Sequence, residues 1–162
     1  RQSISNEDEV VPLAREVEYA KGYLTIQKMR YKDKLEFEIN VEPSILNIPL
    51  IKLVLQPIIE NAIYHGLKYK ESKGLLQVKG FMKDGNAVLQ VIDNGVGMDE
   101  ETLAHIYDKH KVNYHSNGVG VYNVQKRLQL YYGESYGITY ESEKGVGTTA
   151  TITIPGMQEE SI

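Results

Sequence analysis

Ala87-Val88-Leu89-Gln90-Val91-Ile92-Asp93 runs directly into Asn94-Gly95-Val96-Gly97-Met98-Asp99, and the reading of this junction decides the fold. An apolar strand ends on a carboxylate, and two glycines follow whose missing Cβ atoms let backbone approach another group closely. Asp93 stands at the strand's edge, where a carboxylate can accept a hydrogen bond from an exocyclic amine. Asp-Asn-Gly is also ordinary turn chemistry, and taken alone the turn is the simpler reading.

Working back from the junction, Asp84-Gly85-Asn86 has the residue types of a tight hairpin and pairs Leu75–Lys83 antiparallel with Ala87–Asp93. Before it, Ile51, Val54, Leu55, Ile58 and Ala62 fall on one helical stripe, with Pro57 marking either a late start or a kink. Leu35, Phe37, Ile39 and Val41 alternate with polar residues as a half-buried strand does. From Pro12 to Tyr31, Leu13, Val17, Ala20, Leu24 and Tyr31 recur at helical spacing, and residues 1–10 read as a polar lead-in. Downstream, a short helix is expected over Glu100–Tyr107 and a longer one over Val119–Tyr132, stopped by Gly133. Strands Ile138–Glu141 and Thr149–Ile154, joined through Gly145-Val146-Gly147, complete the pattern, and Pro155-Gly156 reads as a spent terminus. Hairpin strands and helices interleaved this unevenly predict an α+β, two-layer domain rather than a doubly wound one.

Composition narrows the function. The 162 residues, 41% hydrophobic and 25% charged, suit one domain with a real core and exclude fibrous or wholly disordered readings. No stretch approaches the ~20 apolar residues of a membrane-spanning helix. With no cysteine, thiolate zinc sites, disulfides and cysteine nucleophiles are excluded. A net charge of -4 argues against nucleic acid as a partner. The chain opens on Arg1 with no secretory pattern and reads as a piece of something longer.

Two more glycine clusters carry chemistry. Asn117-Gly118-Val119-Gly120-Val121 opens into a helix, where unpaired N–H groups suit phosphate; a flexible hinge with an ordinary cap is the alternative. Gly145-Val146-Gly147-Thr148-Thr149 is, by itself, a hairpin loop. Neither the phosphate loop ending in Gly-Lys-Ser/Thr nor a Gly-x-Gly-x-x-Gly dinucleotide run is present, so those two nucleotide folds drop out. On the helix before them, Asn61 and His65 are neighbours at i and i+4 and can share one pocket. An Asn amide oxygen is a plausible hard ligand for Mg²⁺, which relies on substrate phosphates and water for the rest; the plainer alternative is a capping Asn beside a hydrogen-bonded His.

In order, Glu60-Asn61-Ala62, Asp93-x-Gly-x-Gly, Gly118-x-Gly and Gly147-Thr148 resemble the N, G1, G2 and terminal boxes of the GHKL superfamily. That superfamily joins the ATP-binding domains of gyrase, heat-shock chaperones, histidine kinases and mismatch-repair proteins. Leu55-Gln56-Pro57-Ile58-Ile59-Glu60-Asn61-Ala62 with His65-Gly66, Asn123-Val124 through Arg127-Leu128, Tyr132-Gly133, and Tyr23-Leu24-Thr25-Ile26-Gln27 with Arg30-Tyr31 are similar to LytS/YesM-like bacterial sensor histidine kinases. The resemblance implies a Bergerat-type sandwich, a mixed sheet with helices on one face and ATP held between them under a mobile lid. It implies that Asn61 holds Mg²⁺, Asp93 accepts from the adenine amino group, Gly95 and Gly97 admit the base, and Gly118 and Gly120 bend around the phosphates. Thr148 would support the adenine side, and His65 would line the nucleotide pocket. The chain then divides into a linker and incoming helix over residues 1–32, an ATP-binding catalytic domain over 33–156, and a tail over 157–162.

Departures from the pattern carry expectations of their own. Tyr64 stands where relatives commonly place a basic side chain, leaving Lys109, Lys111, Lys126 and Arg127 as candidate phosphate contacts, although such charges are often solvated surface. The lid segment between Gly97 and Gly118 is short, and Ile106-Tyr107 replaces a Phe landmark. Pro57 occupies the position where hydrolysing relatives place a water-activating Glu, so hydrolysis is disfavoured and phosphoryl transfer, which needs positioning and charge stabilisation, is favoured. His105, His110 and His115, spaced by five, do not build one metal face. The phosphorylated His is expected upstream of Val11, on a domain this chain lacks. The resemblance further implies a response regulator as indirect partner and a homodimeric parent in the bacterial membrane, with this domain on the cytoplasmic side. The alternatives are a non-catalytic nucleotide-binding regulatory module and, third, a GHKL ATPase.

Overall fold

The computed structural model describes residues 10–108 and 120–157. Gly118, Asn117, Val119, Lys109, Lys111, His110, His115, the lead-in up to residue 9 and the tail from 158 lie outside the described residues.

The chain opens with β1 (Val10–Pro12), α1 (Leu13–Tyr31) and β2 (Leu35–Val41), then β3 (Pro49–Ile51) and α2 (Leu55–Asn61), which continues as widened helical turns over Ala62–Leu67. It goes on through β4 (Gly74–Lys83), β5 (Asn86–Asp93), α3 (Glu100–Ala104), α4 (Val121–Tyr132), β6 (Gly137–Glu143) and β7 (Gly147–Pro155). Five strands form one sheet in the order β2-β4-β5-β7-β6, with β2 and β4 parallel and the remaining pairs antiparallel. The sheet is mixed, as expected.

Local chemistry explains most of this. Asp84 and Gly85 both adopt positive φ, 52° and 82°, the conformation a two-residue hairpin requires to match the twist of its strands. Alternation sorts the faces: Leu76, Val78, Leu89, Val91, Ala150, Ile152 and Ile154 are buried, while Gln77, Lys79, Gln90 and Thr151 lie on the opposite face. The helices cover the apolar face, and the core draws on both sides of residue 32: Leu13, Ala20 and Leu24 of α1 join Ile58 and Ile59 of α2 and Val124 and Leu128 of α4. Gly133 ends α4 at φ 112°, a conformation that side chains resist.

Four expectations are corrected. Val10–Pro12 is a strand, taking Val10 from the expected lead-in and Pro12 from the expected helix, and it pairs antiparallel with Pro49–Ile51, so that Ile51 ends that ribbon instead of joining the helical stripe. Three-residue strands are too short to show a period. Ile48 and Leu46 carbonyls then take the first N–H groups of α1, at 2.8 Å from Leu13 and 2.9 Å from Ala14. The short helix ends at Ala104, not Tyr107. Pro155 closes β7 opposite Asn86, and the Gly156 N–H donates to the Gly85 carbonyl at 3.0 Å, so this end is fastened to the hairpin. Pro57 marks a late start without a kink: it sits in the first turn of α2, where its missing N–H costs nothing.

Candidate functional site

Register builds the sheet side of the site. Asp93 on β5 stands opposite Thr148 on β7, and Thr148 stands opposite Ser142 on β6, so three polar side chains form a row across the sheet. The adjacent row on the same face is Val91, Ala150 and Tyr140. Asp93 is 5% exposed, and its Oδ1 accepts the Gly95 N–H at 2.9 Å. Burial pushes its carboxyl up to about 6, although the N–H groups of Gly95 and Thr148 act in the opposite direction. Ser142 Oγ accepts the Met98 N–H at 2.8 Å and lies 3.1 Å from the Gly147 carbonyl and 2.7 Å from Thr148 Oγ1.

Loop packing explains two of the glycines. A Cβ on Gly95 would stand 2.2 Å from the Gly66 carbonyl oxygen, and the Val96 N–H donates to that same oxygen at 3.0 Å. Gly95 thus lets the loop close on the end of the widened helix, and it does not line the cavity. Gly97, at φ 69°, packs so closely on the β6–β7 connection that a Cβ would sit 2.1 Å from the Glu143 carbonyl oxygen.

The opposite wall comes from α2 and its continuation. Past Asn61 the helix widens, with the Lys68 N–H reaching back five residues to the Ile63 carbonyl at 2.9 Å. Such turns recur at functional sites. Asn61, His65 and Gly66 all face a cavity of about 480 Å³ whose other walls include Val91, Asp93, Gly97, Thr148, Ala150, Gly120 and Tyr140. Gly66 presses on the carboxyl itself, since a Cβ there would meet Asp93 Oδ1 at 2.9 Å. Gly120 precedes α4 with open space where a Cβ would be. Ile106 reaches the cavity, while Tyr107 anchors its segment by donating to the Ile138 carbonyl at 2.6 Å.

Of the eight residues nominated from sequence, Asn61, His65, Asp93, Gly97, Gly120 and Thr148 meet at this one cavity. Gly95 stands just behind it, and Gly118 lies outside the described residues. Two candidate phosphate contacts are placed elsewhere. Arg127 donates to the Leu53 carbonyl at 3.0 Å and to the Lys52 carbonyl, at the far end of α2 from Asn61. Lys126 is exposed and absent from the cavity wall. The Tyr64 ring, also outside the wall, holds Lys68 Nζ 4.2 Å from its centroid. His105 pairs with Asp108 at 3.9 Å.

Sequence reasoning missed Ser142, Tyr140 and Gly66 as site residues. The first two had a signal, because Ile138, Tyr140 and Ser142 alternate as an inward-facing set. The Tyr140 hydroxyl is buried with no partner in hydrogen-bonding geometry, although the Asn61 side chain is near enough to oppose the upward push that burial gives its pKa.

Residues 47–158 match the family of histidine kinase-, DNA gyrase B- and HSP90-like ATPases. The chain belongs to this ATPase family. Residues 1–35 also match a histidine kinase family. Among relatives of this ATPase domain, the sensor histidine kinase YesM of Bacillus subtilis (strain 168) is 31% identical over 159 residues, covering 98% of this chain and 26% of that protein. The sensor protein LytS of Oceanobacillus iheyensis is 35% identical over 129 residues, covering 78% of this chain and 22% of its own length. The chain therefore spans about a quarter of the length of the curated relatives it matches. The ATPase fold is shared with the catalytic domain of histidine kinase ThkA, at TM-score 0.68 and 14% identity over 91% of this chain and 98% of that one. The mycobacterial sensor histidine kinase MprB superposes at TM-score 0.63 and 20% identity over 91% and 96%. The two-layer α+β architecture is thus that of histidine kinase catalytic domains.

Proposed function

We propose that this domain binds ATP with Mg²⁺ and presents the γ-phosphate to a histidine on an upstream phosphoacceptor domain of the same protein. One observation carries the reading: a buried acceptor, Asp93, closes the sheet end of an otherwise largely apolar cavity whose opposite wall is Asn61 on the widened helix. The volume of about 480 Å³ falls within the range of small-molecule sites. Asp93 accepts from the adenine amino group, with Gly97 and Thr148 beside the base and Gly95 holding the loop that frames it. His65 lines the pocket, and Gly118 and Gly120 follow the phosphates. Asn61 offers Mg²⁺ one hard amide oxygen, a fitting contribution for an ion that takes most of its ligands from phosphate and water. Magnesium, when bound, neutralises charge on the phosphates.

The described cavity wall contains no Glu, its carboxylates being Asp93 and Asp108, and buried Pro57 holds the position where the resemblance places a water-activating Glu. This favours transfer to an acceptor over hydrolysis, because transfer depends on positioning and charge stabilisation. A response regulator then receives the phosphate from the histidine. The parent is proposed to be a membrane-bound homodimer with this domain in the cytoplasm; no described helix is itself long and apolar enough to cross a membrane. Nucleic acid is not among the proposed partners.

A second reading, a non-catalytic nucleotide-binding module, is favoured by the lack of Lys or Arg among the described residues of the cavity wall. Two measurements decide. Mg²⁺-dependent protection by ATP against thermal unfolding, lost in Asp93→Asn, is expected on both readings. Radiolabel from γ-labelled ATP appearing on an attached upstream helical domain, and lost in Asn61→Ala, is expected only of the kinase; brisk phosphate release by the chain alone would instead indicate an ATPase.

A further inference from the structure

We infer that Ser142 sets the hydrogen-bonding sense of Thr148, so that the purine end of the cavity accepts a 6-amino group and refuses a 6-oxo group. The inference deepens the proposed function and rests on a purine nucleotide binding beside Asp93.

The protons available around Ser142 fix the direction of each contact. A serine hydroxyl has one proton to give and two lone pairs. Around Ser142 Oγ stand the Met98 N–H at 2.8 Å, which can only donate, and the Gly147 carbonyl at 3.1 Å, which can only accept. The third neighbour, Thr148 Oγ1 at 2.7 Å, can do either. One assignment satisfies all three contacts. Ser142 gives its proton to Gly147, takes one from Met98 N, and takes another from Thr148. Giving the Ser142 proton to Thr148 instead leaves two oxygens facing each other at the Gly147 contact with no proton between them.

In the satisfied arrangement the Thr148 proton is already used. Its oxygen keeps lone pairs only, on a residue that lines the cavity and stands opposite Asp93 in the strand register. Two acceptors from register partners at one end of the cavity suit the two N–H bonds of a 6-amino group. A 6-oxo base would set an acceptor against Thr148, whose proton is already spent on Ser142, and leaving a buried polar group unpaired is a strong means of rejection. Ser142 touches no base in this scheme. It is a positioning residue, fastened to the Gly97-Met98 loop on one side and to β7 on the other.

Calorimetric titration of the 162-residue chain with adenosine diphosphate and inosine diphosphate, which differ at the position-6 edge, tests this directly. The unaltered chain is expected to prefer adenosine diphosphate at least tenfold. Ser142→Ala should bind both nucleotides with that preference reduced about tenfold, and Ser142→Thr, which retains the hydroxyl, should preserve it. A purely structural role for Ser142 would weaken both ligands in proportion, so an unchanged ratio in Ser142→Ala overturns the inference while leaving nucleotide binding intact. Should Ser142→Ala fail to fold by thermal melting, Thr148→Val takes its place: loss of preference supports the inference, and retention overturns it. If the unaltered chain binds neither nucleotide, the pocket reading fails and this inference falls with it.

Discussion

Glu16 Oε1 accepts the backbone N–H of Val54 at 2.9 Å, so a buried carboxylate on α1 caps the head of α2. The same oxygen takes the Leu55 N–H at 3.0 Å, and Oε2 takes that of Leu53 at 3.1 Å. Leu53, at φ 59°, is in a conformation rare for a branched side chain. Pro57 has no N–H to offer the Leu53 carbonyl, which accepts from Arg127 of α4 instead. The turn that launches α2 is thereby held from two other helices, and Asn61 stands at the opposite end of the same short helix.

Glu16→Ala should destabilise the fold by about 2–3 kcal/mol, since it leaves three N–H groups at a helix start without their acceptor, and Glu16→Gln should cost about half as much. Urea unfolding measures both. Because Arg127 holds the same turn, Glu16→Ala with Arg127→Ala should cost clearly less than the two single losses combined. Strict additivity would show that the two contacts act independently.

Asp93 makes stability depend on pH in a defined direction. Its carboxyl lies at about 6 in the folded chain, against ~3.9 when unfolded, so between those values the folded state retains a proton that the unfolded state releases. The contribution is fully present below pH ~4 and is lost as pH rises through 6, on the order of 3 kcal/mol in all. Unfolding free energies measured from pH 4 to 7.5 should therefore fall toward neutrality in the parent relative to Asp93→Asn. Parallel curves would contradict the assignment.

Two glycine-to-alanine changes should act with opposite sign. Gly22 lies in the middle of α1, exposed, with open space for 4 Å around the place a Cβ would take, so Gly22→Ala should raise stability by about 0.5–1 kcal/mol. Gly95→Ala drives its new carbon into the Gly66 carbonyl and should cost about 1–3 kcal/mol. Melting temperatures moving in the same direction would refute the contact.

Tyr140→Phe removes a buried hydroxyl that has no partner in hydrogen-bonding geometry, so the ligand-free fold should be unchanged or gain up to about 1 kcal/mol. A loss above that, measured by denaturant, would mean the hydroxyl is bonded in solution.

Much of this is legible in the sequence, and what is legible is local. Asp84-Gly85 declares a hairpin because both positions must take positive φ; Gly133 declares a helix stop for a similar reason. Asp93, Asn61, His65 and Thr148 stand out in short boxes, and they meet at one cavity. Glu16 carries a signal too: it lies on the buried stripe of Leu13, Ala20 and Leu24, where a charged residue needs a partner. Arg127 is a false candidate for phosphate because its sequence neighbours say nothing of the turn 74 residues away that it holds.

The amino-acid order alone determined which segments are strands, turns and helices of useful length, and which side chains have the chemistry to meet a nucleotide, because periodicity and turn preference act within a few residues of the chain. Only the tertiary structure decided that Glu16 serves α2, that Gly95 yields to Gly66 rather than to a ligand, and that Ser142 stands in line with Thr148 and Asp93. Those partners are set by strand register and by how helices cross the sheet, and a hydrogen bond forms or fails over a few tenths of an ångström that no local rule controls.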